Sequence, residues 1–344
     1  MTILVTGAAG FIGSHVVDAL VRSGAQVLGV DSLDPGVFNK PPGYLNPAAE
    51  YVFADLRQLR ADPRFDSVEA VIHLAALGGV SRAGKEPENV ITANCGGTAR
   101  LLELSRGWSK LRQVILASSF SIYGAGYQYR CEKCNVVRDG TRRIADLEEG
   151  RFDVYCEKCG GAAQIIPIEE GSAPNPLEIY GASKYMQELC FRNAQLPGLA
   201  ILRFSSVYGD RLRLDDGEAT IIAKLAGWVR SGVTPKLFED GRQLRDWVYV
   251  GDIVDAMLAI LRREGAVNDV INVCSGGGTS LLDATSILGE LLGKRVTPEV
   301  VGGFRAGDMR HCVGNPSRLK ALLGRNPLSF HEGAPKAFAT THGR

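Results

Sequence analysis

Tyr180 and Lys184 stand four residues apart in "YGASK", a spacing that puts both side chains on one face of a helix. An ammonium beside a phenol favours the phenolate and lowers the phenol's pKa from about 10. Such a tyrosine can shuttle a proton near neutral pH. Upstream, "ASSFSIYG" carries hydroxyls at Ser118, Ser119 and Ser121, any of which could hold a substrate oxygen. A second reactive group lies between these motifs. Cys131, Cys134, Cys156 and Cys159 form two identical Cys-Glu-Lys-Cys units with twenty-one residues between them. Each CxxC knuckle presents two thiolates to one side, and two knuckles make a tetrahedral S₄ set suited to Zn²⁺. Gly160-Gly161 after the second pair allow a tight knuckle turn. Structural zinc is the expectation, with free surface thiols and a redox switch as the alternatives. Catalytic zinc is not expected, because four thiolates leave no open position.

The elements that must hold these groups follow a simple pattern. Ile3–Val5, Gln26–Val30, Tyr51–Ala54, Ala70–Ala75 and Gln113–Ser118 are short apolar runs that predict buried strands. Helical patterns lie between them, from Phe11 to a Gly24 cap and over about Glu88–Arg106. This βαβ alternation predicts an α/β fold, a Rossmann-type doubly wound parallel sheet. After Tyr123–Gly126 the pattern breaks into a polar stretch that holds the four cysteines. It resumes with a helix at Ile179–Ala194 and a strand at Leu199–Phe204. Further helices are predicted at Ala219–Ser231, Val250–Arg263 and Ser280–Leu292, and a strand at Val270–Val273. Residues 1–204 therefore read as the dinucleotide-binding domain, with 125–172 as a cysteine-bearing insertion and 240–274 returning to it. Residues 205–239 and 275–344 read as a smaller α/β substrate domain, whose last residues fray. The insertion is too polar to fold by burial alone, so a metal would supply that free energy.

Composition narrows the partners. The 344 residues carry 39 Lys+Arg against 38 Asp+Glu, a net charge of +1, which gives no attraction to nucleic acid or an anionic membrane. No apolar run approaches the ~20 residues of a spanning helix. The N-terminus lacks a signal-peptide pattern. A cytoplasmic protein is expected, and its eight cysteines are then not expected in disulfides. Cys95, Cys190, Cys274 and Cys312 are scattered and read as packing thiols, and His73 as structural.

"TGAAGFIG" places Gly7, Gly10 and Gly13 between the first strand and the first helix. The first glycine permits the turn. The second lets the backbone of Gly10, Phe11 and Ile12 approach a pyrophosphate, and the third lets helix pack on strand. Asp31 ends the second strand eighteen residues after Gly13. Its carboxylate can accept from both ribose hydroxyls and would repel a 2′-phosphate, so NAD rather than NADP is expected.

With these motifs the sequence resembles the extended short-chain dehydrogenase/reductase family, in particular its nucleotide-diphosphate-sugar epimerases. The resemblance spans nearly the whole chain. "HLAA" at His73–Ala76 matches the fourth-strand signature, Asp55-Leu56 the adenine contact, Asn94 the structural asparagine and "YGASK" the catalytic motif. It implies Ser119, four residues before Tyr123, as the catalytic hydroxyl beside Tyr180 and Lys184, with Lys184 also on the nicotinamide ribose. "LRFSSVYG", "RDWVYVGD" and "RAGDMRH" resemble the substrate-side motifs. They imply Arg245 and Arg305 on the diphosphate of a dTDP- or UDP-linked sugar, where forked guanidinium donors suit phosphate. Ser206 stands where the family usually has a substrate-touching asparagine. Dehydratases of the family carry Asp-Glu after the hydroxyl; here Phe120-Ser121 stand there and can serve as neither acid nor base. The resemblance therefore implies a 4-epimerase, closest to the dTDP-L-rhamnose 4-epimerase-like group, working as a homodimer through a four-helix bundle. A 4-ketoreductase, a 4,6-dehydratase and a non-catalytic NAD-binding scaffold are the alternatives.

Overall fold

In the computed structural model, residues 1–38, 40–214, 220–305 and 308–339 are described. Ala219, expected to open a helix, Ala306-Gly307 of the "RAGDMRH" motif and the tail from 340 lie outside them. The chain begins with β1 (Thr2–Thr6), α1 (Phe11–Arg22), β2 (Gln26–Asp31), β3 (Glu50–Phe53) and β4 (Val68–His73). Three helical pieces follow: α2 (Val80–Lys85), α3 (Pro87–Ile91) and α4 (Gly97–Ser105). A π-turn at Thr92–Gly96 joins the last two, so the single helix expected over 88–106 is interrupted at Asn94. Next come β5 (Gln113–Ser119), then β6 (Gln128–Arg130), β7 (Val137–Asp139), α5 (Ile144–Glu148) and β8 (Gln164–Ile166) in the cysteine segment. The helical pattern returns with α6 (Ile179–Arg192), β9 (Leu199–Phe204) and β10 (Ser206–Tyr208). The remainder is α7 (Ile221–Ser231), β11 (Lys236–Leu237), β12 (Leu244–Tyr249), α8 (Val250–Arg262), β13 (Asp269–Val273), β14 (Gly278–Ser280), α9 (Leu281–Leu291), β15 (Glu299–Val300), α10 (Ser317–Leu323) and α11 (Phe330–Phe338).

Seven strands form one sheet in the order β13-β9-β5-β4-β1-β2-β3. β1 pairs in parallel with both β2 and β4, and β4 with β5. Strand order reverses beside β1, which opens a crevice at the carboxyl ends of β1 and β4. The apolar runs are strands because helices cover both sheet faces, leaving Ile3, Leu4, Val5, Ala70, Ile72 and Ile115 buried.

The chain divides into two compact units. The first comprises Met1–Ile122, Glu178–Arg203 and Ile253–Ile271; the second comprises Tyr123–Leu177, Phe204–Asp252 and Asn272–Arg344. The cysteine segment, assigned from sequence to the first domain, thus belongs to the second unit. The reason is local. Tyr127, Tyr129, Leu147, Phe152, Val154 and Ile168 are buried, more apolar area than the polar reading of this stretch allowed. Ile168 N–H donates to the Val313 carbonyl at 2.9 Å, and Asn315 N–H to the Ile168 carbonyl at 2.9 Å. Elsewhere in this unit, Tyr208, Trp247, Phe330 and Phe338 pack against α7 and α9 as a second core. Among the described residues, no helix is long and apolar enough to cross a membrane.

Candidate active site

The glycine turn is built for close approach. Gly7 has φ +70° and its N–H donates to the Val30 carbonyl at 2.8 Å. A Cβ on Gly13 would lie 2.0 Å from the Gly7 carbonyl oxygen, so no side chain fits there. α1 starts at Phe11 with Gly10 as its N-cap, no capping side chain and no acid in its first turn. Its first N–H groups, at Phe11 and Ile12, therefore face the turn as anion donors. Asp31 ends β2, and its two oxygens accept from Ala9 N–H at 2.9 Å and Leu33 N–H at 2.8 Å. Burial raises its pKa, and those N–H groups oppose the rise. Each carboxylate oxygen keeps a lone pair for a ribose hydroxyl. This donor set fits a dinucleotide. Asp55 caps the turn Leu56–Gln58 and is paired with the Arg57 guanidinium at 2.5 Å, while the Leu56 side chain is buried in the core.

The helix that bears Tyr180 and Lys184, α6, is fixed at its first turn. Glu178, which the sequence reading passed over, is the N-cap of α6 and accepts from Tyr180 N–H at 2.7 Å and Gly181 N–H at 2.8 Å. A Cβ on Gly181 would lie 2.5 Å from the Ser121 carbonyl oxygen, so this glycine brings α6 against the end of β5. The Ser119 hydroxyl acts on the Tyr180 phenol to lower its pKa. One turn on, the Ser183 hydroxyl donates to the Tyr180 carbonyl at 2.8 Å and accepts from Asn94 Nδ2 at 2.9 Å. The π-turn aims Asn94 so that its Oδ1 also accepts from Leu77 N–H at 2.7 Å. Asn94 thereby ties the loop after β4 to the catalytic helix, a common use of a π-bulge.

Lys184 is buried on the next turn of α6. Its ammonium donates to Gln187 Oε1 at 2.6 Å, and burial pulls its pKa down to about 8. The Tyr180 phenol is pushed up to about 12 by burial and by Glu178, with the Ser119 hydroxyl lowering it. Gln187 Nε2 continues to Thr98 Oγ1 at 2.8 Å, and His73 closes the network with Thr6 Oγ1 at 2.7 Å and Thr98 Oγ1 at 2.9 Å. Burial and Lys184 hold His73 neutral, with a pKa down at about 3, which is a structural histidine.

In the second unit the four cysteine sulfurs lie within 4.8 Å of one another. Cys131 Sγ and Cys159 Sγ are 3.6 Å apart, too far for a disulfide and close to the edge of about 3.8 Å that a tetrahedron of 2.3 Å Zn–S bonds requires. The two knuckles match. Asn135 N–H donates to the Cys131 carbonyl at 2.7 Å, and Gly160 N–H to the Cys156 carbonyl at 2.8 Å. Both donors sit at positive φ, 51° and 69°, where asparagine and glycine are the favoured residues. The Gly161 N–H lowers the Cys159 pKa, while hydrogen bonding to Cys159 raises that of Cys134. The donor set fits a divalent metal with soft preferences.

Ser206 opens β10 opposite Trp247. The Arg245 guanidinium donates to the carbonyls of Leu244 at 2.9 Å, Arg310 at 3.1 Å and Met309 at 3.4 Å. Arg305 is exposed, with its guanidinium 5.3 Å over the Phe238 ring. His311 Nδ1 accepts from Leu244 N–H at 3.0 Å, and burial takes its pKa down to about 4, so it serves the backbone. Arg142, Glu239 and Arg310 form a buried ion network here that the sequence reading missed; a run of charged residues in a polar stretch carries no mark of burial.

The profile of the NAD dependent epimerase/dehydratase family matches residues 3–141 and 156–274. The chain belongs to this family. It is 32% identical to dTDP-L-rhamnose 4-epimerase of Burkholderia thailandensis, over 94% of this chain and 90% of that one. Among solved structures, UDP-glucose 4-epimerase of Thermotoga maritima with UDP-glucose is 28% identical, with TM-score 0.76 over 98% of this chain and 97% of the other. UDP-glucuronic acid 4-epimerase of Bacillus cereus, in complex with UDP-glucuronic acid and NAD, is 26% identical, with TM-score 0.76 over 98% of both chains.

Proposed function

We propose that the protein is an NAD-dependent 4-epimerase of a dTDP- or UDP-linked sugar. The observation that carries this reading is the close approach of the Glu178-capped helix, which bears Tyr180 and Lys184, to the chain just past Ser119, in a chain of this family whose α1 N-terminus and Asp31 suit NAD. NAD, when bound, would supply the acceptor and donor for the hydride at C4 of the sugar. Ser119 holds the C4 oxygen. Tyr180, as phenolate, takes the proton from that oxygen and gives it back after the 4-keto sugar has turned about its diphosphate linkage. Lys184 orients the nicotinamide ribose and supplies positive charge to the first turns of α6. Arg305 and Arg245 grip the diphosphate while the sugar stays free to turn. Gly7, Gly10, Phe11, Ile12, Gly13, Asp31, Asp55, Leu56 and Asn94 form or brace the cofactor site, and Ser206 faces the sugar.

One Zn²⁺ on Cys131, Cys134, Cys156 and Cys159 staples the segment 125–172. A homodimer forms through the helical stretch 88–106 (α3 to α4) and α6; the support is that Ile91, Met186 and Leu189 are exposed on them. A cytoplasmic location agrees with eight free cysteines. Tyr180→Phe tests the reading: it should lower epimer formation at least ~10³-fold, a proton-shuttle-sized loss, while NAD stays bound. Retained turnover would remove Tyr180 from the mechanism.

A further inference from the structure

Arg142 lies between the two CxxC units and is almost wholly buried. Its guanidinium donates to Glu239 Oε1 at 2.8 Å, to the Phe152 carbonyl at 2.9 Å and to the Asp308 carbonyl at 2.7 Å. The other oxygen of Glu239 accepts from Arg310 at 2.8 Å, and Arg310 reaches Asp240 at 2.7 Å and Asp153 at 3.0 Å. Glu239 is held at φ 53°, a left-handed conformation that surrounding contacts must maintain. One carboxylate thus bridges a guanidinium of the cysteine segment to that of Arg310, all inside the second unit. A cavity of about 280 Å³ opens beside this network, walled by Ala125, Tyr127, Thr141, Arg142, Leu147 and Met309. Its walls come from the chain just past the catalytic strand end, from the cysteine segment and from the residues just past Arg305.

We propose that Arg142 is a positioning residue for the nucleotide-diphosphate sugar, acting through Glu239 and the Asp308 carbonyl to set the Arg305-bearing segment against this cavity. The cysteine segment is then a fixed wall of the substrate site, not a hinged lid. This rests on the reading of Arg305 as a diphosphate ligand. Its chemistry is specific. The guanidinium satisfies three acceptors in a planar fork, which a lysine point charge cannot do. Removing it leaves the buried Glu239 with one cation where it had two, and the Asp308 carbonyl without this donor.

The test is titration calorimetry of the NAD-loaded wild type, Arg142→Met, Arg142→Lys and Glu239→Gln with UDP and dTDP, together with KM and kcat on a turned-over sugar nucleotide. Arg142→Met should weaken nucleotide binding and raise KM at least ~10-fold, with kcat within a few-fold and NAD retained. Arg142→Lys should recover part of the loss, and Glu239→Gln, which keeps the shape, should fall between. Equal nucleotide affinity in wild type and in either folded Arg142 variant would overturn the proposal alone. A wild type that binds neither nucleotide would overturn the sugar-nucleotide reading, and this proposal with it. A loss confined to kcat would place Arg142 outside substrate positioning.

Discussion

In the proposed mechanism Tyr180 releases a proton near neutrality from surroundings that hold its phenol at about 12. Burial and the Glu178 carboxylate oppose ionisation, and the Ser119 hydroxyl favours it. Glu178 is nonetheless needed, because it caps the helix that carries both Tyr180 and Lys184. Lys184 offers a direct check on this electrostatic account. Its folded pKa lies near 8, below the ordinary 10.5, because burial disfavours the ammonium. Above pH 8 the folded chain therefore loses a proton that the unfolded chain still holds, and stability rises with pH through that window. Relative to Lys184→Met, the wild type should gain about 3 kcal/mol of unfolding free energy between pH 7.5 and 10.5, from a depression of that size. Denaturant melts of the pair at several pH values measure it; a flat difference would mean that the ammonium is well solvated. At this scale the sequence marked the candidate residues. "YGASK" and "ASSFSIYG" are short motifs whose chemistry follows from residue type. It could not show that Gln187 captures the Lys184 ammonium, because that contact depends on side-chain placement three residues along the same helix.

The elements do their positioning by close approach. β5 and α6 touch through a glycine, and α1 meets β1 through Gly13. A methyl group at Gly181 would meet the Ser121 carbonyl oxygen. Gly181→Ala should therefore cost about 1–3 kcal/mol as overpacking and should lower kcat more than it weakens NAD binding. Thermal melts and steady-state kinetics read both, and a variant with wild-type Tm and kcat would show that α6 has slack. The buried strands were legible because parallel strands covered on both faces read as plain apolar runs. The π-turn at Asn94 was not, since "TANCGGTAR" keeps a helical pattern on either side of one extra residue. Asn135 was passed over for a similar reason. Its left-handed knuckle conformation matches that of Gly160, yet asparagine announces such a turn less plainly than glycine.

On the scale of the whole molecule, the alternation of strands and helices revealed the doubly wound sheet, and the paired cysteines revealed their own grouping. Membership of the cysteine segment in the second unit stayed hidden. Among the contacts that decide it are those of Arg142 with Glu239 and of Asp153 with Arg310, 97 and 157 residues apart in the chain. No local pattern encodes such pairings. If zinc staples this segment, purified protein should carry about one zinc per chain, and Cys131→Ser with Cys134→Ser should lose it and lower Tm. Elemental analysis showing equal zinc in the variant would contradict the assignment. For the dimer, light scattering at micromolar concentration should give twice the chain's 36.9 kDa, and a monomer would refute it. The most direct test of the central claim is NMR of purified protein in D₂O with a panel of dTDP- and UDP-sugars and no added cofactor. The account predicts a new C4 epimer without solvent deuterium at C4, because the hydride removed there is returned internally. A 4-keto product carrying deuterium, or no change with any sugar, would contradict it.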